Sequence, residues 1–251
     1  MTAPALEARG LTRHFGALTA TDDVSFAIQP GARQALIGPN GAGKTTLINL
    51  LTGVIKPTAG QVWLAGRDVT HLASSARVRI GLSRTFQINQ LFPDLTPAES
   101  LALAISERNG SGADFWRALG SRPAIVAEIA ELLARFGLEA DMDLPTRKLA
   151  YGKQRLLEIA LALATRPRVL LLDEPAAGVP EEERRDILAA LAALPSDVAI
   201  LLIEHDMDLV FNFADRISVL VAGRLLAEGA PEAIAADERV RAVYLGEDAH
   251  G

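Results

Sequence analysis

The chain has 251 residues, of which 49% are hydrophobic, with a net charge of −6 and no cysteine. This is enough apolar material for one large domain or a domain carrying a subdomain, and the lack of cysteine excludes disulfide staples and cysteine-ligated metals. The acidic balance argues against a nucleic-acid partner, which calls for a basic patch or stripe. No apolar run approaches the roughly 18 to 20 residues that cross a bilayer: Leu156 to Ala164 and Val198 to Ile203 are short and interrupted or bounded by charge. Met1 to Arg9 carries a glutamate and no apolar centre, unlike a secretory signal, so cytosolic residence is expected.

The first third reads as short strands: Leu6 to Leu11, Val24 to Ile28 ending at Pro30-Gly31, Gln34 to Ile37, and Gln61 to Leu64 before Gly66. Between the third of these and an apolar-periodic segment starting at Thr46 lies Gly38-Pro39-Asn40-Gly41-Ala42-Gly43-Lys44-Thr45, which matches the phosphate-loop pattern GxxxxGK[ST] at every fixed position. Its glycines let successive backbone N–H groups turn around phosphates. Lys44 supplies a point charge near the terminal phosphates, and the Thr45 hydroxyl is a hard ligand for Mg²⁺. A nucleoside triphosphate is the expected ligand.

Beyond Gln90 the pattern turns helical. Thr96-Pro97-Ala98-Glu99 offers a threonine cap with a glutamate three residues on, followed by Leu101, Leu103 and Ile105. After the break Asn109-Gly110-Ser111-Gly112, a second helix places Ile125, Ile129, Leu132, Leu133 and Phe136 on one face and ends at Gly137. A third helix covers Lys153 to Thr165. Then come the apolar strand Val169 to Leu172, a helix from Glu181 to Leu194, the strand Ala199 to Ile203 and a helix through Ala214. Paired strands Ile217 to Val221 and Leu225 to Ala227 flank Gly223, and Pro231 to Ala236 with Glu238 to Tyr244 form a terminal helical pair.

The strand Val169 to Leu172 runs into Asp173 and Glu174, two carboxylates where a phosphoryl-transfer site needs them, at the carboxyl edge of a sheet. Asp173 would hold Mg²⁺ and Glu174 would polarise the attacking water as general base. Upstream, Leu149-Ala150-Tyr151-Gly152-Lys153-Gln154 resembles the signature motif of the ATP-binding cassette family. The resemblance implies a shared site: this turn and helix N-terminus would face the γ-phosphate of ATP held by a second ATPase subunit, a paralogue or another copy, in a head-to-tail dimer.

Other positions of that family carry over singly. Phe15, in His14-Phe15-Gly16, resembles the aromatic residue that stacks on adenine, and Thr46 follows the loop as a further nucleotide contact. Gln87, in Arg84-Thr85-Phe86-Gln87, resembles the glutamine that reaches Mg²⁺ and the attacking water. His205, in Ile203-Glu204-His205-Asp206, resembles the histidine that hydrogen-bonds the γ-phosphate. Two departures stand out. Ala150 replaces the usual signature serine, with Tyr151 for glycine and Lys153 for glutamine, so the dimer contact would rest on backbone donors, with Lys153 as a side-chain candidate. After the acidic pair, Pro180 stands where the family has aspartate or asparagine.

Ser83-Arg84-Thr85-Phe86-Gln87, the Tyr-Gly signature, Asp173 to Gly178, Leu202 to Met207 and the ending Tyr244-Leu245-Gly246 resemble, within this family, the ATPase subunits of branched-chain amino acid uptake systems. The resemblance implies a single α/β domain: a phosphate-loop NTPase core at 1–87 and 165–230 with a RecA-like parallel sheet and an antiparallel β flank, a helical insertion at about 88–164, and a helical tail at 231–251. It also implies ATP and Mg²⁺ as cofactors, attachment to the cytoplasmic face of the membrane through permease subunits docking near Gln87 to Leu95, and an indirect tie to a solute-binding protein. Leu91, Phe92 and Leu95 are candidate anchors; their alternative is the insertion's own core. The tail could pack on the core or on a partner. The cargo class would be branched-chain amino acids or related amide and carboxylate solutes. Two alternatives stand beside this reading: a soluble cassette ATPase without a permease, and a module that binds ATP without hydrolysing it.

Overall fold

The computed structural model describes residues 3–85, 91–110 and 123–247. Backbone contacts divide the chain into two units: Met1–Leu82 with Arg168–Glu174 and Pro195–Gly251, and Ser83–Pro167 with Pro175–Leu194.

In the first unit, β1 (Leu6–Phe15) and β2 (Leu18–Ile28) form a long hairpin, and β1 also pairs antiparallel with β4 (Ala59–Leu64), which pairs with β5 (Arg67–Asp68). Apolar alternation alone ends β1 at Leu11. The strand runs on because the pairs Arg13↔Thr21, His14↔Thr19 and Phe15↔Leu18 hydrogen-bond the polar stretch to its neighbour. The second sheet has the order β10-β9-β3-β8-β7-β6, built from β3 (Arg33–Ile37), β6 (Leu82–Arg84), β7 (Val169–Asp173), β8 (Ala199–Ile203), β9 (Arg216–Val221) and β10 (Arg224–Gly229). β3 is parallel to both β8 and β9, and β7 is parallel to β8. Every residue of β7 and β8 is buried, which is why both read as unbroken apolar runs rather than alternating ones.

Helix α1 (Lys44–Thr52) contributes Leu47, Ile48, Leu50 and Leu51 to a core that also holds Leu6, Val24 and Val62 of the antiparallel sheet and Leu36, Leu171 and Leu201 of the parallel one. Its C-terminus is closed from outside. Arg77, on the short helix α2 (Ser74–Arg79), is 1% exposed and donates to the carbonyls of Leu50 at 2.8 Å, Leu51 at 2.5 Å, Thr70 at 2.9 Å and Leu72 at 3.2 Å. A cation at the negative end of the helix dipole thus satisfies the last carbonyls of α1. Burial lowers the guanidinium pKa to about 10, which leaves it charged at neutral pH. Neither α2 nor β6 is evident from apolar pattern, since both are short and mixed.

The tail settles on the core. Ile234 of α8 (Pro231–Ala236) and Val240 of α9 (Glu238–Glu247) are buried in a cluster with Ala35 and Ile37 of β3, Val210 of α7 (Met207–Phe213), and Ile217 and Val219 of β9, with Tyr244 packed against it.

The second unit is helical. α3 (Pro97–Arg108) starts with a full capping box: Glu99 donates its N–H to the Thr96 hydroxyl at 3.2 Å, and the Glu99 carboxylate accepts from the Thr96 N–H at 2.8 Å. α4 (Pro123–Arg135) is followed by Gly137 at φ 61, with Leu138 N–H returning to the Leu133 carbonyl at 2.9 Å, a left-handed helix ending. α5 (Tyr151–Ala164) and α6 (Glu181–Ala192) complete it. Arg108 ties three helices together, donating to both oxygens of Glu128 on α4, at 2.6 and 2.9 Å, and to the carbonyl of Ala164, the last residue of α5, at 2.6 Å.

Candidate functional site

Three neighbouring parallel strands end on one edge. Leu36 of β3 and Asp173 of β7 both lie opposite Ile203 of β8, the last residue of that strand. Immediately beyond that row come the phosphate loop after β3, His205 after β8 and Glu174 after β7. Adjacent strands are about 4.8 Å apart, so the sheet itself brings these groups to one place, outside the carboxyl ends of its strands, where open α/β sheets bind ligands.

The loop is seated tightly. A Cβ on Gly38 would lie 2.1 Å from the Leu220 carbonyl oxygen, and one on Gly43, which sits at φ 100, would lie 2.4 Å from that of Ala20. Gly223 donates its N–H to the Ala42 carbonyl at 2.9 Å, and Ala42 is buried. The loop backbone is therefore pressed between β2 and the β9–β10 turn, with Asn40 and Gly41 on its exposed side and Pro39 half-buried. At the start of α1 no side chain caps the helix at Gly43 and no acid lies in the first turn, the electrostatics an anion needs. Lys44 folds back over the loop, its ammonium donating to the carbonyls of Gly38 at 2.5 Å and Pro39 at 3.0 Å. Thr45 is exposed and Thr46 half-buried beside it.

Asp173 closes β7 and is 5% exposed. Glu174, next along the chain, is held at φ 47, a left-handed conformation that costs a side-chain-bearing residue about 1–2 kcal/mol. Its N–H donates to the Ile203 carbonyl at 2.9 Å, which fixes the turn in place. His205 presents one ring nitrogen to two acids: Nδ1 is 4.0 Å from Glu174 Oε1 and 3.8 Å from Glu204 Oε2. The imidazole is otherwise open to solvent, while Glu204 is 2% exposed and also accepts the His205 N–H at 3.1 Å. With Nδ1 turned to the carboxylates, Nε2 is the nitrogen available to a ligand. Phe15 stands at the end of β1, 45% exposed. Gln87 lies outside the described residues.

In the helical unit, the segment that resembles a signature motif spans the start of α5. Leu149 is buried, Ala150 is exposed and caps nothing, and Tyr151 opens the helix on the surface. Gly152 donates its N–H to Glu183 Oε2 at 2.7 Å. Gln154 turns back to the Leu149 carbonyl at 3.0 Å. Lys153 donates to the Gly137 carbonyl and lies 3.7 Å from Asp141, so its side chain is engaged within its own unit rather than held out as a donor. Arg77, Glu183 and Glu204 carry contacts that no local pattern signals; Glu204 lies within Ile203-Glu204-His205-Asp206, yet only its burial and its bond from the His205 N–H give it a part.

A family model described as ABC transporter matches residues 21–177, and a second, described as branched-chain amino acid ATP-binding cassette transporter, matches residues 224–250. The chain is 41% identical, over 98% of its length and 100% of the relative's, to the high-affinity branched-chain amino acid transport ATP-binding protein BraF of Pseudomonas aeruginosa. It is 40% identical, over the same shares, to the corresponding protein LivG of Escherichia coli. Among solved structures, a nucleotide-free ATP-binding cassette from an ABC transporter superposes with a TM-score of 0.83 at 30% identity, covering 96% of this chain and 98% of that one.

Proposed function

The chain belongs to the ABC transporter family as one of its ATPases, and from that premise we propose that it powers import of branched-chain amino acids or related small amide and carboxylate solutes through separate permease subunits. Its similarity to BraF and LivG over nearly the full chain supports the cargo class. The observation that carries the chemistry is the shared row of Leu36, Ile203 and Asp173, which sets the phosphate loop, His205 and Glu174 at one sheet edge.

In this reading Gly38 to Thr46 cradle the triphosphate of ATP, Phe15 stacks on adenine, and His205 Nε2 donates to the γ-phosphate. Glu174 orients and polarises the attacking water. Among the described residues no cluster of three acidic, histidine or cysteine side chains is built to hold a metal. Asp173 and the Thr45 hydroxyl, with Gln87 from the sequence, are instead the sparse donor set that suits Mg²⁺, an ion that keeps substrate phosphates and water as its remaining ligands. Bound there, it would neutralise phosphate charge. Leu149 to Gln154 would serve the ATP of a second ATPase subunit. With Ala150 lacking a hydroxyl and Lys153 turned to Gly137, the donors would be backbone N–H groups other than that of Gly152, which Glu183 engages. Residues 88–164 would form the helical lobe that meets the permeases, with Phe92, 59% exposed, as its foremost anchor. No helix among the described residues is long and apolar enough to cross a membrane, so attachment to the cytoplasmic face would be through those subunits.

The test is reconstitution with the permease subunits and the solute-binding protein in vesicles containing ATP. Uptake of labelled leucine, isoleucine or valine that stops with Glu174→Gln is expected. ATP hydrolysis that ignores the permeases, with no uptake of any of these solutes, would sink the importer reading.

A further inference from the structure

Arg13 stands behind Phe15. The guanidinium carbon lies 4.6 Å from the centroid of the phenyl ring. The guanidinium is anchored: Nη1 donates to the Lys56 carbonyl at 3.0 Å, and Nε is closed off from solvent without a hydrogen-bond partner. Phe15 itself remains 45% exposed. With the cation over one face of the ring, the opposite face is the one left for a base to stack on.

We propose that Arg13 is a positioning and specificity residue for nucleotide binding: it holds the Phe15 ring for stacking on a purine base and takes no part in binding phosphate. This rests on the reading of Phe15 as the base-stacking residue. Two physical effects support it. An exposed phenyl ring at a strand end has rotamers to lose when a base stacks on it, and a guanidinium packed on its back removes that freedom beforehand. In addition, the faces of aromatic rings are both negative and repel in a parallel stack, whereas a cation behind one ring draws π density away from the face that meets the base. A planar guanidinium can lie flat on the ring, which an ammonium cannot. Engagement of Nη1 by the Lys56 carbonyl keeps the group on the ring instead of swinging towards phosphate.

The experiment measures dissociation constants of the full chain for ATP and for inorganic tripolyphosphate, in the wild type, Arg13→Gln, Arg13→Lys, Phe15→Ala and the double variant Arg13→Gln/Phe15→Ala. Arg13→Gln should weaken ATP about 2- to 5-fold, the range of a partly exposed cation–π contact. It should leave tripolyphosphate binding unchanged, which also reports an intact phosphate loop. Arg13→Lys should recover only part of the loss, and Arg13→Gln should have no further effect once Phe15 is alanine. The role of Arg13 is overturned if ATP binding is unaltered in Arg13→Gln while Phe15→Ala weakens it, or if tripolyphosphate weakens in parallel, since that would mean a general charge effect. If Phe15→Ala leaves ATP binding intact, the base-stacking reading fails, and the role of Arg13 with it.

Discussion

The Gly152 N–H and the Glu183 carboxylate, 31 residues apart, meet at 2.7 Å at the start of α5. That helix has no cap of its own, because Ala150 occupies the N-cap position and no acid lies in the first turn. Glu183, in the first turn of α6, supplies from outside the acceptor that a serine would have supplied locally. It also places a carboxylate on a backbone donor of the segment assigned to the partner's ATP.

Glu183→Ala should therefore destabilise the chain by about 1 kcal/mol, the usual value of a lost cap. Ala150→Ser in that background should restore most of it by capping α5 from its own chain. Urea unfolding of the two variants checks both; no rescue by serine would mean that Glu183 acts through some other contact.

Glu174→Gln should lower the rate of ATP hydrolysis by about 10²- to 10⁴-fold, the contribution of a general base, and leave ATP binding in place because the amide keeps the shape. Glu174→Gly should lower hydrolysis at least as far but raise the unfolding free energy by about 0.5–1 kcal/mol, since glycine accepts φ 47 without the Cβ penalty. A glycine variant less stable than the wild type would show that the side chain stabilises the turn by more than its backbone strain costs.

Arg77→Leu should cost at least about 3 kcal/mol, as four carbonyls in the interior lose their donor. Arg77→Lys should recover less than half, because a single ammonium cannot span acceptors on α1 and on the chain between β5 and α2. Thermal melting with and without ATP reads this out.

The helical unit should weaken in acid. Hydrogen bonds from Arg108, with Arg166 adding charge, hold the Glu128 carboxyl below its ordinary value of 4.5. A carboxyl depressed on folding contributes stability above its unfolded pKa and loses it as pH falls through the folded one, so unfolding free energy should decline from about pH 4.5 downward. Glu128→Gln should flatten that decline; an unchanged slope would assign it to other acids.

Much of this was legible in the amino-acid order because it is locally encoded. The phosphate loop carries its glycines in register with the turn they make, β7 and β8 are apolar throughout because both their faces are covered, and the Thr96–Glu99 box caps α3 through residues three apart. Those unbroken runs place the strand ends near Asp173 and His205, and a period of 3.6 places the helix ending before Gly137. Short mixed elements such as α2 and β6 have too few residues to show a period.

The tertiary structure alone decided what lies far apart in the chain. Nothing local tells that Arg77 closes α1, that Glu183 caps α5, or that Arg13 leans on Phe15 from an anchor at Lys56. Nor does it tell that Lys153 turns to Gly137 instead of outward, or that Ile234 and Val240 bury themselves beside β3 and β9. α6 likewise groups with the helical unit, beyond the 88–164 span that sequence suggests for it. The physical reason is common to all. A backbone pattern selects each element and the residue at its end, but the group that satisfies a helix terminus, a carbonyl or an apolar face comes from whichever element crosses there, and that crossing is set by packing.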